Sequence, residues 1–133
     1  MSKEYSKGLT LTELLLAVGI LVFVLCGMIV LFVNCSFLNE SNRNLTLSLS
    51  HAQYVMEDIK NTYFSEIKGM IDDGDWDWDA TEIAGEGLTA LTNESVDTSH
   101  GLADNPLEVI VSVQWENRLQ RQGQIELRTL ITR

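Results

Sequence analysis

The chain has one proline, Pro106, and two cysteines in 133 residues. With no proline before position 106, nothing in the first two thirds forbids a long helix. Cys26 and Cys35 lie on one predicted helix, about 13 Å apart along its axis, beyond disulfide reach. They read as small apolar residues. Positive charge is also scarce, with 9 Lys and Arg against 19 Asp and Glu and a net charge of −10. That balance excludes a general nucleic-acid-binding surface, which would be basic. Two histidines, His51 and His100, supply no Ser-His-Asp or Cys-His spacing. No glycine-rich phosphate loop, internal repeat or low-complexity tract is present. The sequence predicts no catalytic centre and no cofactor, hence not an enzyme.

What the chain has instead is an uncharged apolar run, Leu14–Val33. As a helix it covers about 30 Å, enough to cross a bilayer. It is too long for the core of a cleavable signal peptide, and no small-x-small site follows it. Lys3 and Lys7 precede the run, which places the N-terminus on the cytoplasmic side. A lone acid, Glu13, stands at its mouth. At mid-bilayer such a charge costs on the order of 2–3 kcal/mol, so Glu13 calls for a partner.

The segment Lys7-Gly8-Leu9-Thr10-Leu11-Thr12-Glu13, followed by the apolar run, resembles the class III signal of type IV prepilins and type II secretion pseudopilins. Leu9 stands where that family most often has phenylalanine. The resemblance implies cleavage by a prepilin peptidase between Gly8 and Leu9 and N-methylation of Leu9. It implies that Glu13, the fifth mature residue, meets the N-terminal amine of a neighbouring subunit in a filament. A buried carboxylate facing a buried ammonium escapes the penalty of an unpaired charge. The implied partners are other pilin or pseudopilin subunits, the peptidase, an inner-membrane assembly platform and membrane lipid, with no nucleic acid. The implied location is the inner membrane, single-pass, with a periplasmic or extracellular head incorporated in a pilus or pseudopilus.

Beyond the span, Leu45, Leu49, Ala52, Met56, Ile59, Tyr63 and Ile67 recur at helical spacing. One helix is therefore predicted over about residues 9–68, stopped by Gly69 and the Asp72-Asp73-Gly74-Asp75 cluster. Residues 70–106 read as irregular, with one short strand at Leu88–Thr92. Val109, Val111, Val113 and Trp115 then alternate with Glu108, Ile110, Ser112 and Gln114, a strand with one apolar face. Ile125, Leu127, Thr129 and Ile131 repeat the pattern after a polar turn at Glu116–Gly123. The pair predicts an antiparallel hairpin laid on the helix, which needs one more strand to be stable. The fold class is α+β, a long membrane-spanning helix on a small antiparallel head. The divisions are a leader at 1–8, a membrane and polymerisation half at 9–34, an amphipathic half at 35–69 and a head at 70–133. The valine-rich strand ending in Trp115, the polar turn and the C-terminal Leu127-Arg128-Thr129-Leu130-Ile131 together resemble the tail of the minor pseudopilin I and minor type IV pilin V group.

The acidic loop is the remaining candidate for chemistry. Counted from Asp75, oxygens fall at positions 1, 3, 5 and 7 of an EF-hand loop as Asp75, Asp77, Asp79 and Thr81, with Glu86 at position 12. Ala80 replaces the required glycine at position 6, and Glu82 sits at position 8. The expectation is a solvated acidic loop whose tryptophans, Trp76 and Trp78, pack on the head. The rival to a filament subunit is a single-pass anchored binding protein using this Asp/Trp loop.

Overall fold

The computed structural model describes residues 10–118 and 120–133. Gly8 and Leu9 lie outside the described residues. The first helix, α1, runs Leu11–Asn61. The chain divides into two compact units, one up to Asn39 and the other Glu40–Arg133.

In the first unit α1 is apolar on every side. Its most apolar stretch has a mean hydropathy of 3.2 and none of it is buried. This helix is long and apolar enough to cross a membrane.

The second unit packs α1 residues and two short helices, α2 (Phe64–Asp73) and α3 (Ala80–Gly85), on a four-stranded sheet. The strands are β1 (Trp78–Asp79), β2 (Ser95–Asp104), β3 (Leu107–Glu116) and β4 (Gln122–Ile131). They pair antiparallel in the order β1-β2-β3-β4. The long pairing of β3 with β4 runs from Leu107 opposite Ile131 to Glu116 opposite Gln122. The alternation predicted for β3 is the one observed. Leu107, Val109, Val111, Val113 and Trp115 are all buried, and β4 half-buries Ile125, Leu127, Thr129 and Ile131. Ala52, Val55, Met56 and Ile59 of α1, Ile67 and Ile71 of α2, Ile83, Trp76 and Val96 complete the core.

Three sequence expectations are corrected. The helix does not continue to residue 68. Thr62 closes α1 by donating its hydroxyl to the Asp58 carbonyl at 3.1 Å and its N–H to the Ile59 carbonyl at 3.2 Å. Tyr63 is then extended, and α2 begins at Phe64. Gly69 lies inside α2, which ends at Gly74 in the left-handed conformation glycine tolerates (φ 77).

The buried stripe keeps Ala52, Met56 and Ile59 of the predicted set, but departs from it ahead of Ala52 and at Tyr63. Leu45, Leu49 and Tyr63 are exposed, while Asn44, Ser48, His51 and Val55 are buried. Polar residues hold that face because a polar loop covers it, as described below.

Finally, Leu88–Thr92 is not a strand. The further long strand is β2, whose Ser, Asp, His and Gly residues carry little strand preference of their own. Its pairing with β3 imposes the extended form.

Candidate functional site

Two regions hold the residues singled out in the sequence. The first is the start of α1. Thr10 occupies the position before the helix, and its carbonyl accepts the first helical bond, from the Leu14 N–H at 3.1 Å. The Glu13 carboxylate turns back onto it, accepting from the Thr10 backbone N–H at 2.9 Å and from the Thr10 hydroxyl at 2.8 Å. The Glu13 N–H in turn donates to the Thr10 hydroxyl oxygen at 3.3 Å. This is a capping box, Thr10-Leu11-Thr12-Glu13, in which two orphaned backbone donors are satisfied reciprocally. The expected partner of Glu13 was another chain; within this chain it already has one. The Thr-x-x-Glu spacing ahead of an apolar run was the available sequence signal.

Beyond this cap the helix presents uncovered apolar side chains. Leu11, Phe23 and Phe32 are three-quarters exposed or more, and Leu14 through Leu38 supply the rest of the exposed surface. A surface of this kind requires lipid or protein against it. Cys26 and Cys35 are free and exposed on it.

The second region is the acidic loop. Asp75, Asp77 and Glu86, with Trp78 and Glu82, line an open cleft of about 540 Å³. Two of the loop's carboxylates hold backbone in place. Asp77 accepts from the Thr98 N–H at 2.7 Å and the Thr98 hydroxyl at 2.9 Å, fastening the loop to β2. Asp79 accepts from the N–H groups of Thr81 and Glu82 at 2.7 and 2.9 Å, capping α3, and Glu82 completes a second capping box. These bonds hold the Asp79 carboxyl below its ordinary pKa. Glu86 accepts from the Tyr54 hydroxyl at 3.4 Å. Among the described residues, no three His, Cys, Asp or Glu side chains converge as metal ligands. Of the calcium set, Asp75, Asp77 and Glu86 thus line one cleft and Asp79 does not, and the four are not gathered around one point.

The tryptophans pack as expected. Trp76 is buried and donates its indole N–H to Asp58 of α1 at 2.7 Å. Trp78 is half-buried, its ring 6.0 Å from that of Tyr54.

Sequence reasoning missed one buried constellation. His51 Nδ1 of α1 lies 2.7 Å from Glu94 Oε1, and both side chains are almost fully enclosed. The other Glu94 oxygen accepts the Leu91 N–H at 2.6 Å. The two residues are 43 apart in sequence, so no local spacing could reveal the pair.

No protein-family model, curated protein or solved structure matches the chain.

Proposed function

We propose that the chain is a minor structural subunit of a type IV pilus or type II secretion pseudopilus. A prepilin peptidase cuts it between Gly8 and Leu9, and Leu9 is then N-methylated. The subunit assembles through its N-terminal helix, and its head contacts other subunits. It performs no catalysis of its own.

One observation carries this reading: the most apolar stretch of α1, none of it buried, belongs to the apolar run that follows the Gly8–Glu13 motif in the sequence. An ordinary soluble domain has no use for that surface. Lipid tails and the helices of like subunits cover it equally well, because both are apolar. The α+β unit that follows agrees with the small helix-on-sheet head of a pilin. The capping box gives Glu13 a partner while the subunit stands alone. In the filament, the amine of a neighbouring Leu9 would compete for the same carboxylate.

The test is mass spectrometry of the protein extracted from membranes of a host with an active prepilin peptidase. A chain beginning at Leu9 and carrying one added methyl group is expected. A chain still beginning at Met1 or Ser2 overturns the assignment.

A further inference from the structure

We propose that a cleft in the second unit binds a free α-amino acid with a small apolar side chain. The inference stands apart from the filament reading, because every residue it uses lies in the unit Glu40–Arg133. Glu40 and Asn44 are one turn apart on α1 and share a face, with Arg43 beside them. The 89–92 loop and the end of β3 form the other walls of the cleft, which measures about 190 Å³. That is below the roughly 300 Å³ at which pockets for drug-sized ligands begin, so it suits a molecule of few atoms.

Asn44 points to a ligand. It is only 8% exposed, it lines the cleft, and its side-chain amide has no hydrogen-bond partner among the described residues. Among those residues, no side-chain nitrogen or oxygen sealed from solvent lacks a partner. The Asn44 amide therefore opens into the cleft. Its oxygen accepts and its nitrogen donates. A matching ligand carries a donor and an acceptor side by side.

Charge narrows the choice. Arg43 and Arg118 bring positive charge to the cleft, and Glu40 and Glu116 bring negative charge. A simple anion would meet two carboxylates there, and a simple cation two guanidinium groups. Arg43 has no ion pair among the described residues, which leaves its guanidinium fork open to a carboxylate. Glu40 lies 3.2 Å from the Arg118 Nε, and Glu116 accepts from the Asn93 side-chain amide at 2.5 Å. A carboxylate has about four acceptor sites, so each retains room for an ammonium. An α-amino acid holds its ammonium and carboxylate on a single carbon, matching the two ends of the Asn44 amide. Half-buried Ala90 and Leu91 supply an apolar wall for a short side chain.

The test is proton–nitrogen correlation NMR of the detergent-solubilised full chain, titrated with L-alanine, alaninamide or N-acetylalanine. L-Alanine is expected to shift the Asn44 side-chain amide and the backbone amides of residues 89–92 saturably, with a Kd on the order of 1 mM. Amides of α2 should not move. Alaninamide lacks the carboxylate and N-acetylalanine lacks the ammonium. Each should bind about tenfold more weakly, through the loss of a hydrogen bond to a charged group. Asn44→Ala and Arg43→Gln should each weaken L-alanine by about the same factor. Neither should lower the urea midpoint, since alanine and glutamine are good helix formers. The absence of a saturable shift with L-alanine overturns the proposal. Equal binding of alaninamide or N-acetylalanine also overturns it, by showing attraction to one charge alone. Shifts that persist undiminished in both variants overturn it by placing the site elsewhere.

Discussion

Glu94 and His51 join the loop ahead of β2 to α1 through a 2.7 Å contact closed to solvent. A carboxylate in that setting tolerates burial only while its partners remain. The same contact accounts for the polar face of α1, since Asn44 and Ser48 lie on the helix surface that leads up to His51.

Replacing one member of this pair is therefore expected to cost more than replacing both. His51→Leu leaves Glu94 buried with only the Leu91 N–H, a loss of about 3–5 kcal/mol. The double variant His51→Leu/Glu94→Leu should recover part of that. Urea midpoints of the detergent-solubilised protein, arranged as a double-mutant cycle, measure the coupling. Additive effects would mean the contact contributes nothing.

Val111 and Ser112 test the register of β3. Val111 is fully buried and Ser112 is half-buried on the other face. Val111→Asp should unfold the second unit by burying an unpaired carboxylate. Ser112→Asp should be milder. Limited proteolysis distinguishes them, and equal sensitivity contradicts the register.

Gly123 lies directly opposite Trp115, and a Cβ at Gly123 would overlap the indole ring. Gly123→Ala should displace Trp115 and destabilise the unit by about 1–3 kcal/mol. A red shift in tryptophan emission and a lower urea midpoint are expected. Emission unchanged from the parent would show that the sheet accommodates a side chain there.

His100 should make the attachment of α2 pH-dependent. Its Nδ1 lies 2.8 Å from the Gly101 carbonyl and its Nε2 lies 3.0 Å from Asp72. The Gly101 carbonyl first, and Asp72 second, raise its pKa, against opposition from burial and the nearby Lys68. Lys68 itself pairs with Asp104 at 2.9 Å, which holds the Asp104 carboxyl below its usual range. Because the folded pKa exceeds the unfolded one, His100 stabilises fully below the unfolded value of about 6.5. That stability is lost as pH rises through the folded value. Amide exchange in α2, corrected for its intrinsic rate, should accelerate across that window in the parent. It should stay flat in His100→Gln.

Glu13 separates capping from charge. Glu13→Gln keeps an acceptor for the Thr10 N–H, so the first turn of α1 should persist. Glu13→Leu removes the acceptor and the charge together, and should insert into the membrane better. Both variants should still be cleaved. Both should fall in sheared filaments relative to their abundance in membranes, because a neighbour's amine is left without a counter-charge. Wild-type recovery of Glu13→Gln would assign Glu13 to the cap alone.

What could be read from the sequence follows the range of each signal. Val109 to Trp115 and Ile125 to Ile131 alternate within a single strand, so their inward faces were visible without partners. The apolar run of α1 was equally local. Ala52, Met56 and Ile59 were also read correctly, but the face of α1 between Asn39 and His51 was not, because hydropathy favours Leu45 and Leu49 over Asn44, Ser48 and His51. Only a distant acid, Glu94, makes the polar choice stable. Strand β2 was hidden for the same reason: Val96 faces the core, but Asp97, Ser99 and Gly101 carry no strand signal, and their extended form comes from β3. At the acidic loop, the expectation was a solvated segment with an imperfect EF-hand spacing, whereas Asp77 and Asp79 hold backbone N–H groups. The Asp79-to-Glu82 spacing was itself the local sign of a helix cap.

The strand order β1-β2-β3-β4 repeats the order of the chain. Each long strand therefore finds its partner in the adjacent stretch of polypeptide, across a closure of only a few residues. Such a sheet has little search to perform, and low sequence separation between contacts goes with rapid folding. The contact between His51 and Glu94 spans 43 residues and closes a much larger loop. We expect the β2-β3-β4 meander to form first and α1 to dock onto it afterwards, with the His51–Glu94 contact marking completion.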